Sequence, residues 1–347
     1  MNQAIDLFCH WLTPKYSARL QARARRPMHM LTRALAMPAM VDLEARFRVM
    51  DLFPGYTQIP SLASPPLETV GDAAVSLELA RIGNNEQAEL VARHPDRFNG
   101  FVAAVPMNDP DAARAEATRA IQELGAAGIQ VFSNVSGSPL DEPRFLDVFR
   151  HLHALDRPVW LHPARSMDYA DYRTESVSKF DLWWAFGWPY ETSVAMGRIV
   201  FSNILEECPE LRIITHHAGG VVPMLEGRIA SGLSLLGTRC PPGMETAVRT
   251  SLQRPPIDMF RRFYADTATF GAAGALECAL RFFGADQLLF ASDMPFDPER
   301  GPTYIRSTLE GIAELEVTDH QRQQILSGNA RRLCRLAPGP VAFAGSR

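Results

Sequence analysis

Short apolar runs bounded by turn residues recur along this chain, and three of them stop on a residue able to bind a metal. Val159-Trp160-Leu161 runs into His162, Ile213-Ile214-Thr215 into His216-His217, and Leu288-Leu289-Phe290-Ala291-Ser292 into Asp293. Such a run reads as a buried strand, and a polar residue at its end faces whatever lies above the sheet. Candidate strands lie near 4–8, 57–62, 100–105, 128–132, 158–162, 212–216, 263–266 and 287–291. Helical patterns sit between them. Asp109-Pro110-Asp111 opens one, since an acidic cap and a proline belong at a helix start. Ala112 to Leu124 continues it and stops near Gly125 and Gly128. Pro143 to Leu155 repeats the scheme, with Phe145, Leu146, Phe149 and Leu152 on one face. Eight strands with intervening helices predict an α/β fold, a distorted (β/α)8 TIM barrel with its chemistry at the carboxyl ends of the strands.

Two stretches depart from a minimal barrel and are read as insertions on that face of a single domain spanning 1–347. Residues 11–45 are rich in Arg, Met and Pro. Residues 165–190 hold Trp183, Trp184, Phe186, Trp188 and Tyr190. The aromatic cluster either lines a pocket for a planar substrate or packs one insertion onto the other or onto a second subunit, and the readings can coexist. Composition narrows the class. Hydrophobic residues make up 46% and charged residues 21%, which is globular, and the net charge of -4 gives no footprint for nucleic acid or an anionic membrane. Five scattered cysteines without a CxxC pair fit reduced thiols in a cytoplasmic protein. Neither a signal peptide nor a membrane span is expected.

The candidate chemistry is concentrated at strand ends. Of nine histidines, His10, His162, His216 and His217 sit at or just beyond a strand, whereas His29, His94, His151, His153 and His320 have surface or capping surroundings. Imidazole and carboxylate are ligands that borderline metals accept. Asp293 either ligates a metal or handles a proton, with Asp297 better suited to a turn cap. Asp266 is a further strand-end acid that would orient a neighbour. Gly219 and Gly220 permit a tight turn and close approach of a ligand, but form no phosphate-binding loop.

These residues resemble a known family. The stretches Gly100-Phe101-Val102-Ala103-Ala104-Val105-Pro106, Leu161-His162-Pro163, Gly187-Trp188-Pro189-Tyr190-Glu191-Thr192, Thr215-His216-His217-Ala218-Gly219-Gly220 with Gly227-Arg228, Ala291-Ser292-Asp293-Met294-Pro295-Phe296 and Gly328-Asn329-Ala330 are similar to the amidohydrolase-related family typified by aminocarboxymuconate-semialdehyde decarboxylase. That family also holds the γ-resorcylate, dihydroxybenzoate and carboxyvanillate decarboxylases and some hydratases. The resemblance covers nearly the whole chain. It implies one divalent metal, zinc first and manganese second, held by His10, His162 and Asp293, with His217 and Asp293 as catalytic groups. It also implies substrate binding by Trp188, by Arg228 across a dimer interface, and by Arg46, with Arg48 as the alternative. The implied reaction is nonoxidative loss of CO2 from a small aromatic or unsaturated carboxylate. The chain departs from the family on its first strand. Ile5-Asp6-Leu7-Phe8-Cys9-His10 puts Phe8 where a ligand is usual, and Asp6 lies one pleat deeper on the same face. Hydrolysis of a lactone or hydration with little or no metal is therefore the alternative on the same barrel. A non-catalytic carboxylate-binding homologue is the second.

Overall fold

The computed structural model describes residues 3–24, 28–238, 240–248 and 250–336, so residues 25–27 of the first insertion and both extremes of the expected domain lie outside the described residues. All eight expected strands are present. They are β1 (Ala4–Asp6, resuming at His10–Trp11), β2 (Tyr56–Gln58, resuming at Ser61–Leu62), β3 (Val102–Ala104), β4 (Gly128–Phe132), β5 (Val159–His162), β6 (Ile213–Thr215), β7 (Tyr264–Asp266) and β8 (Leu288–Leu289). Each pairs in parallel with its sequence neighbour. Backbone hydrogen bonds then join the last strand region to the first: Leu7 N to Phe290 O (3.1 Å), Asp293 N to Phe8 O (2.8 Å) and His10 N to Met294 O (3.0 Å). The α/β barrel is thereby closed. The two expected helices run Pro110–Gln122 and Pro143–Ala154, and Asp109 caps the first by accepting from Ala112 N at 3.0 Å.

The interior is filled from below. Leu7, Phe8, Ile59, Val102, Trp160, Ile214 and Leu289 form one buried cluster with Ala330, Leu333 and Cys334 of the C-terminal helix Asn329–Cys334. Trp160 spans the barrel and donates from Nε1 to Leu7 O at 2.8 Å. Gly128 opposite it must lack a side chain, because a Cβ there would collide with the Trp160 ring and with Pro158 O. Strand pleating repeats every two residues, so His162 stands directly above Trp160 and His216 above Ile214. An apolar floor thus carries a polar layer.

Asp6 fastens the seam of the barrel. Buried completely, it accepts from Tyr56 Oη at 2.5 Å on β2, from Ser292 N at 3.2 Å and from Ser292 Oγ after β8. It orients neighbours and stays out of the polar layer, as its pleat position suggested. Burial pushes its carboxyl from 3.8 up to about 7 against those hydrogen bonds. The folded state therefore holds a proton that the unfolded chain releases. Its contribution to stability is complete below pH 3.8 and is lost as pH rises through about 7. We expect Asp6→Ala to cost about 3 kcal/mol, since it orphans two buried hydroxyls. Urea titrations should show the unsubstituted protein losing stability relative to Asp6→Asn between pH 4 and pH 7; parallel curves would contradict this.

Candidate metal centre

Three imidazoles and one carboxylate converge above the apolar floor. His10, His162, His216 and Asp293 are each at most 4% exposed. The ring centroids of His10 and His216 lie 5.1 Å from that of His162 and 5.9 Å from each other. Asp293 Oδ1 lies 3.2 Å from His10 Nε2 and 3.4 Å from His216 Nε2. Metal-binding atoms of His10, His162 and His216 all fall within 4.8 Å of one another, as do those of His216, His217 and Asp293. Local register explains the convergence. Phe132 pairs with His162, and Thr215 with Ala265, which sets His216 beside Asp266. Asp293 reaches inward from a left-handed backbone, φ 63°, immediately after the barrel seam.

The back of every imidazole is occupied. His162 Nδ1 lies 2.7 Å from Pro163 O and His217 Nδ1 lies 3.1 Å from Ala268 O. A carbonyl only accepts, so in both rings Nδ1 carries the proton and Nε2 holds a lone pair. His216 Nδ1 donates to Asp266, which also accepts from Ala218 N at 2.9 Å and Ala268 N at 3.2 Å. His10 Nδ1 sits 3.0 Å from Ser61 Oγ. Carboxylate, carbonyl or hydroxyl behind a ring nitrogen is how proteins aim histidines at metals. Nε2 of His10 and Nε2 of His216 are sealed from solvent without a hydrogen-bond partner. Two orphaned buried nitrogens flanking a carboxylate oxygen fit a divalent cation.

His216 is the residue that sequence reasoning left without a role. Its ring stacks on Phe8, with centroids 4.1 Å apart and planes 14° apart, and its other face stacks on His217 at 3.8 Å. Phe8 has no donor atom, yet the ring lying on it supplies one. The candidate donors are therefore four, His216 joining the expected His10, His162 and Asp293, and His217, the expected optional fourth, lies within the same reach of His216 and Asp293. The available signal was alternation: His216 follows Ile214 by two, as His162 follows Trp160.

The other expected site residues divide. Trp188 stands over the centre, 5.3 Å from the His162 ring and 6.4 Å from that of His217, with Nε1 donating to Arg165 O at 3.1 Å. Arg46 is 1% exposed and faces protein: it donates to Gln58 Oε1 at 2.7 Å, His10 O at 2.8 Å and Ala39 O at 2.9 Å. Arg46, expected at a substrate carboxylate, instead braces β1 beneath His10. Arg228 lies exposed on the helix Glu226–Gly232. Gly219 and Gly220 turn with φ of 80° and 65°, but the space a Cβ would need is taken by Phe283 and by Pro189 O, so protein rather than a ligand makes the close approach. Asp297 is the turn cap, accepting from Glu299 N at 2.9 Å and Thr303 N at 3.3 Å. The two insertions also meet, through the Arg33–Asp181 ion pair at 2.7 Å and Arg33 over Trp183. A cavity of about 640 Å³ opens beside the centre, and Pro163 and Trp188 form the wall nearest to it; the imidazoles themselves do not line it.

Electrostatics follow from burial. Burial lowers His10 and His162, keeping both neutral. Burial and the neighbouring His216 lower His217 to about 4. Burial also opposes charge on His216, but Asp266 and Asp293 outweigh it and raise the ring to about 9. Burial would raise Asp293, yet His10 and His216 hold it well below the ordinary carboxylate range. Without a cation, then, a proton on His216 balances the carboxylates.

Comparison with known proteins shows the family and the fold. The family model described as Amidohydrolase matches residues 44–336. The γ-resorcylate decarboxylase of Polaromonas sp. JS666 is 32% identical over 302 residues, covering 84% of this chain and 87% of that one. The structure of 2,6-dihydroxybenzoate decarboxylase from Rhizobium superposes with a TM-score of 0.79 at 27% identity, covering 96% of this chain and 99% of that one. A dihydroxybenzoic acid decarboxylase structure from Polaromonas sp. JS666, with bound manganese and the inhibitor 2-nitroresorcinol, gives 0.78 at 26% identity, covering 99% and 100%.

A cation entering this centre must displace the proton on His216. We expect metal affinity to rise with pH up to about 9, the value at which His216 loses its proton. Calorimetry of metal binding at pH 7.5 in buffers of different ionisation heat should count about one proton released per metal. Release of none would contradict a protonated His216 in the metal-free protein.

Proposed function

We propose that this chain, which belongs to the amidohydrolase family, is a metal-assisted nonoxidative decarboxylase of a small aromatic or unsaturated carboxylic acid. The observation that carries the reading is the convergence of three imidazoles and a carboxylate in which Nε2 of His10 and Nε2 of His216 are sealed from solvent and flank Asp293 Oδ1, beside a histidine held in a single tautomer. His10, His162, His216 and Asp293 would hold the ion, zinc first and manganese second. A bound divalent ion supplies fixed positive charge for the oxygens of a carboxylate or phenolate.

The chain's own groups do the rest. The bond from ring carbon to carboxylate breaks, its electron pair stays on the ring carbon, CO2 leaves, and a proton must arrive at that carbon. His217 is neutral at working pH, with Nδ1 tied to Ala268 O and Nε2 free. It therefore acts first as a base, taking a proton from a substrate hydroxyl, and then returns one to carbon. Trp188 gives the planar substrate a wall and keeps water from the carbanion-like state. Arg46, with its hydrogen bond to His10 O, acts on the substrate only by positioning His10. Exposed Phe186, Tyr190 and Met224 support a homodimer in which Arg228 serves the neighbouring site. The binding-only alternative rested on Phe8, and the His216 ring stacked upon it weakens that argument. No observation separately favours the lactonase or hydratase.

Protein loaded with zinc or manganese should release CO2 from at least one acid in a panel of hydroxybenzoates and muconate-type acids. His217→Asn should lower kcat by roughly 100-fold to 10,000-fold while metal content stays unchanged. Arg228→Ala should raise KM, and light scattering should give a dimer. Silence across the panel, or a His217→Asn variant as active as its parent, would overturn the reading.

A further inference from the structure

The cavity beside the metal centre is lined by a buried carboxyl, one oxygen of which has no hydrogen-bond partner. Glu68 lies in the short 3-10 turn Leu67–Thr69, just past the end of β2, and lines the cavity while being only 8% exposed. Its Oε1 is sealed from solvent and has no hydrogen-bond partner. The other charged side chains of the lining are engaged elsewhere: Arg165 pairs with Glu191 at 2.9 Å and lies over Tyr169, and Asp168 accepts from Ser166 Oγ at 3.1 Å. Burial pushes the Glu68 carboxyl up to about 7 against the pull of its own backbone N–H, and its buried neighbour Tyr16 brings no positive charge to lower it. A buried carboxyl left in this state costs stability unless a partner arrives.

Two further observations say where such a partner would come from. The cavity shares Pro163 and Trp188 with the surroundings of His162, so a molecule in it adjoins the metal centre. Its volume of about 640 Å³ lies within the range of pockets that take drug-sized ligands, which is more room than a single substituted ring fills. Ser64, Thr69, Asn134 and Ser136 add polar groups to its walls.

We infer that this cavity is a distal substrate subsite, in which the Glu68 carboxyl accepts a hydrogen bond from an amine or hydroxyl carried on the ring opposite the reacting carboxylate. The inference rests on the decarboxylase reading only in taking the occupant to be an aromatic acid. It enlarges the substrate class from bare hydroxybenzoates to ring acids with a donor-bearing arm.

The test compares salicylate with its 4-propyl, 4-(2-hydroxyethyl) and 4-(2-aminoethyl) derivatives. Binding to the metal-loaded full chain is measured by calorimetry, in a His217→Asn background so that the ligands stay intact. A polar arm should tighten binding about tenfold over propyl. That gain should vanish in Glu68→Leu. In Glu68→Gln a hydroxyl gain should survive and an amine gain should not, which separates a neutral donor from an ammonium. Both variants should also melt higher than their parent at pH 8, because each removes an unmet carboxyl. A propyl arm binding as tightly as the polar arms, a gain that survives Glu68→Leu, or variants that melt lower would each overturn the subsite. CO2 release from salicylate with a flat arm series would break the subsite alone. An arm series that responds to Glu68, without CO2 release from any of these acids by the otherwise unsubstituted enzyme, would break the decarboxylase reading alone.

Discussion

A buried imidazole offers a lone pair to a shared centre only when its other nitrogen is engaged, and this barrel meets that constraint four times. The groups behind the rings are Ser61 Oγ, Pro163 O, Asp266 and Ala268 O. They come from three stretches, β2, the end of β5 and the end of β7, so the centre exists only when those strands are in register with the ones that carry the histidines. Asp266 does most, since it holds His216 and also ties down the backbone of Ala218 and Ala268. Loss of that carboxylate would free the His216 ring to turn and would loosen the segment that carries His217.

The same layer explains why the floor beneath it is so apolar. Three imidazoles and a carboxylate in a dry site are costly to bury, and they stay neutral or balanced only if water is excluded and geometry is rigid. Trp160 wedged against Gly128 and tied to Leu7 O gives that rigidity on one side. Asp6 and its bonds to Tyr56 and Ser292 give it at the seam, next to Asp293. Phe8 belongs to both layers. It is part of the apolar cluster and it is the face on which His216 lies. A side chain that removes a ligand from the first strand therefore supports the ring that offers one from the sixth.

Much of this was legible in the sequence because the barrel repeats one rule. Short runs bounded by turn residues located all eight strands, and three of them ended on the candidates His162, His216-His217 and Asp293. His216 was visible in the same way, but the adjacent His217 matched the family motif and drew the functional assignment. The pleat decides between them: His216 stands above Ile214 and points inward. Arg46 was not legible, because a helical arginine carries no sign of where its long stem ends, and here it ends on His10 O. Glu68 was not legible either. Its sequence neighbours place it in a turn, and only the fold of the insertions above β2 seals it.

The central claim is that His216 replaces the ligand that Phe8 cannot supply. Metal content of protein purified without chelators and reloaded with zinc or manganese tests it most directly, with His216→Ala and His217→Ala measured alongside. The account requires about one metal per chain in the unsubstituted protein and in His217→Ala, with most of it lost in His216→Ala. Full metal content in His216→Ala would contradict it and would leave His10, His162 and Asp293 as the whole of the site.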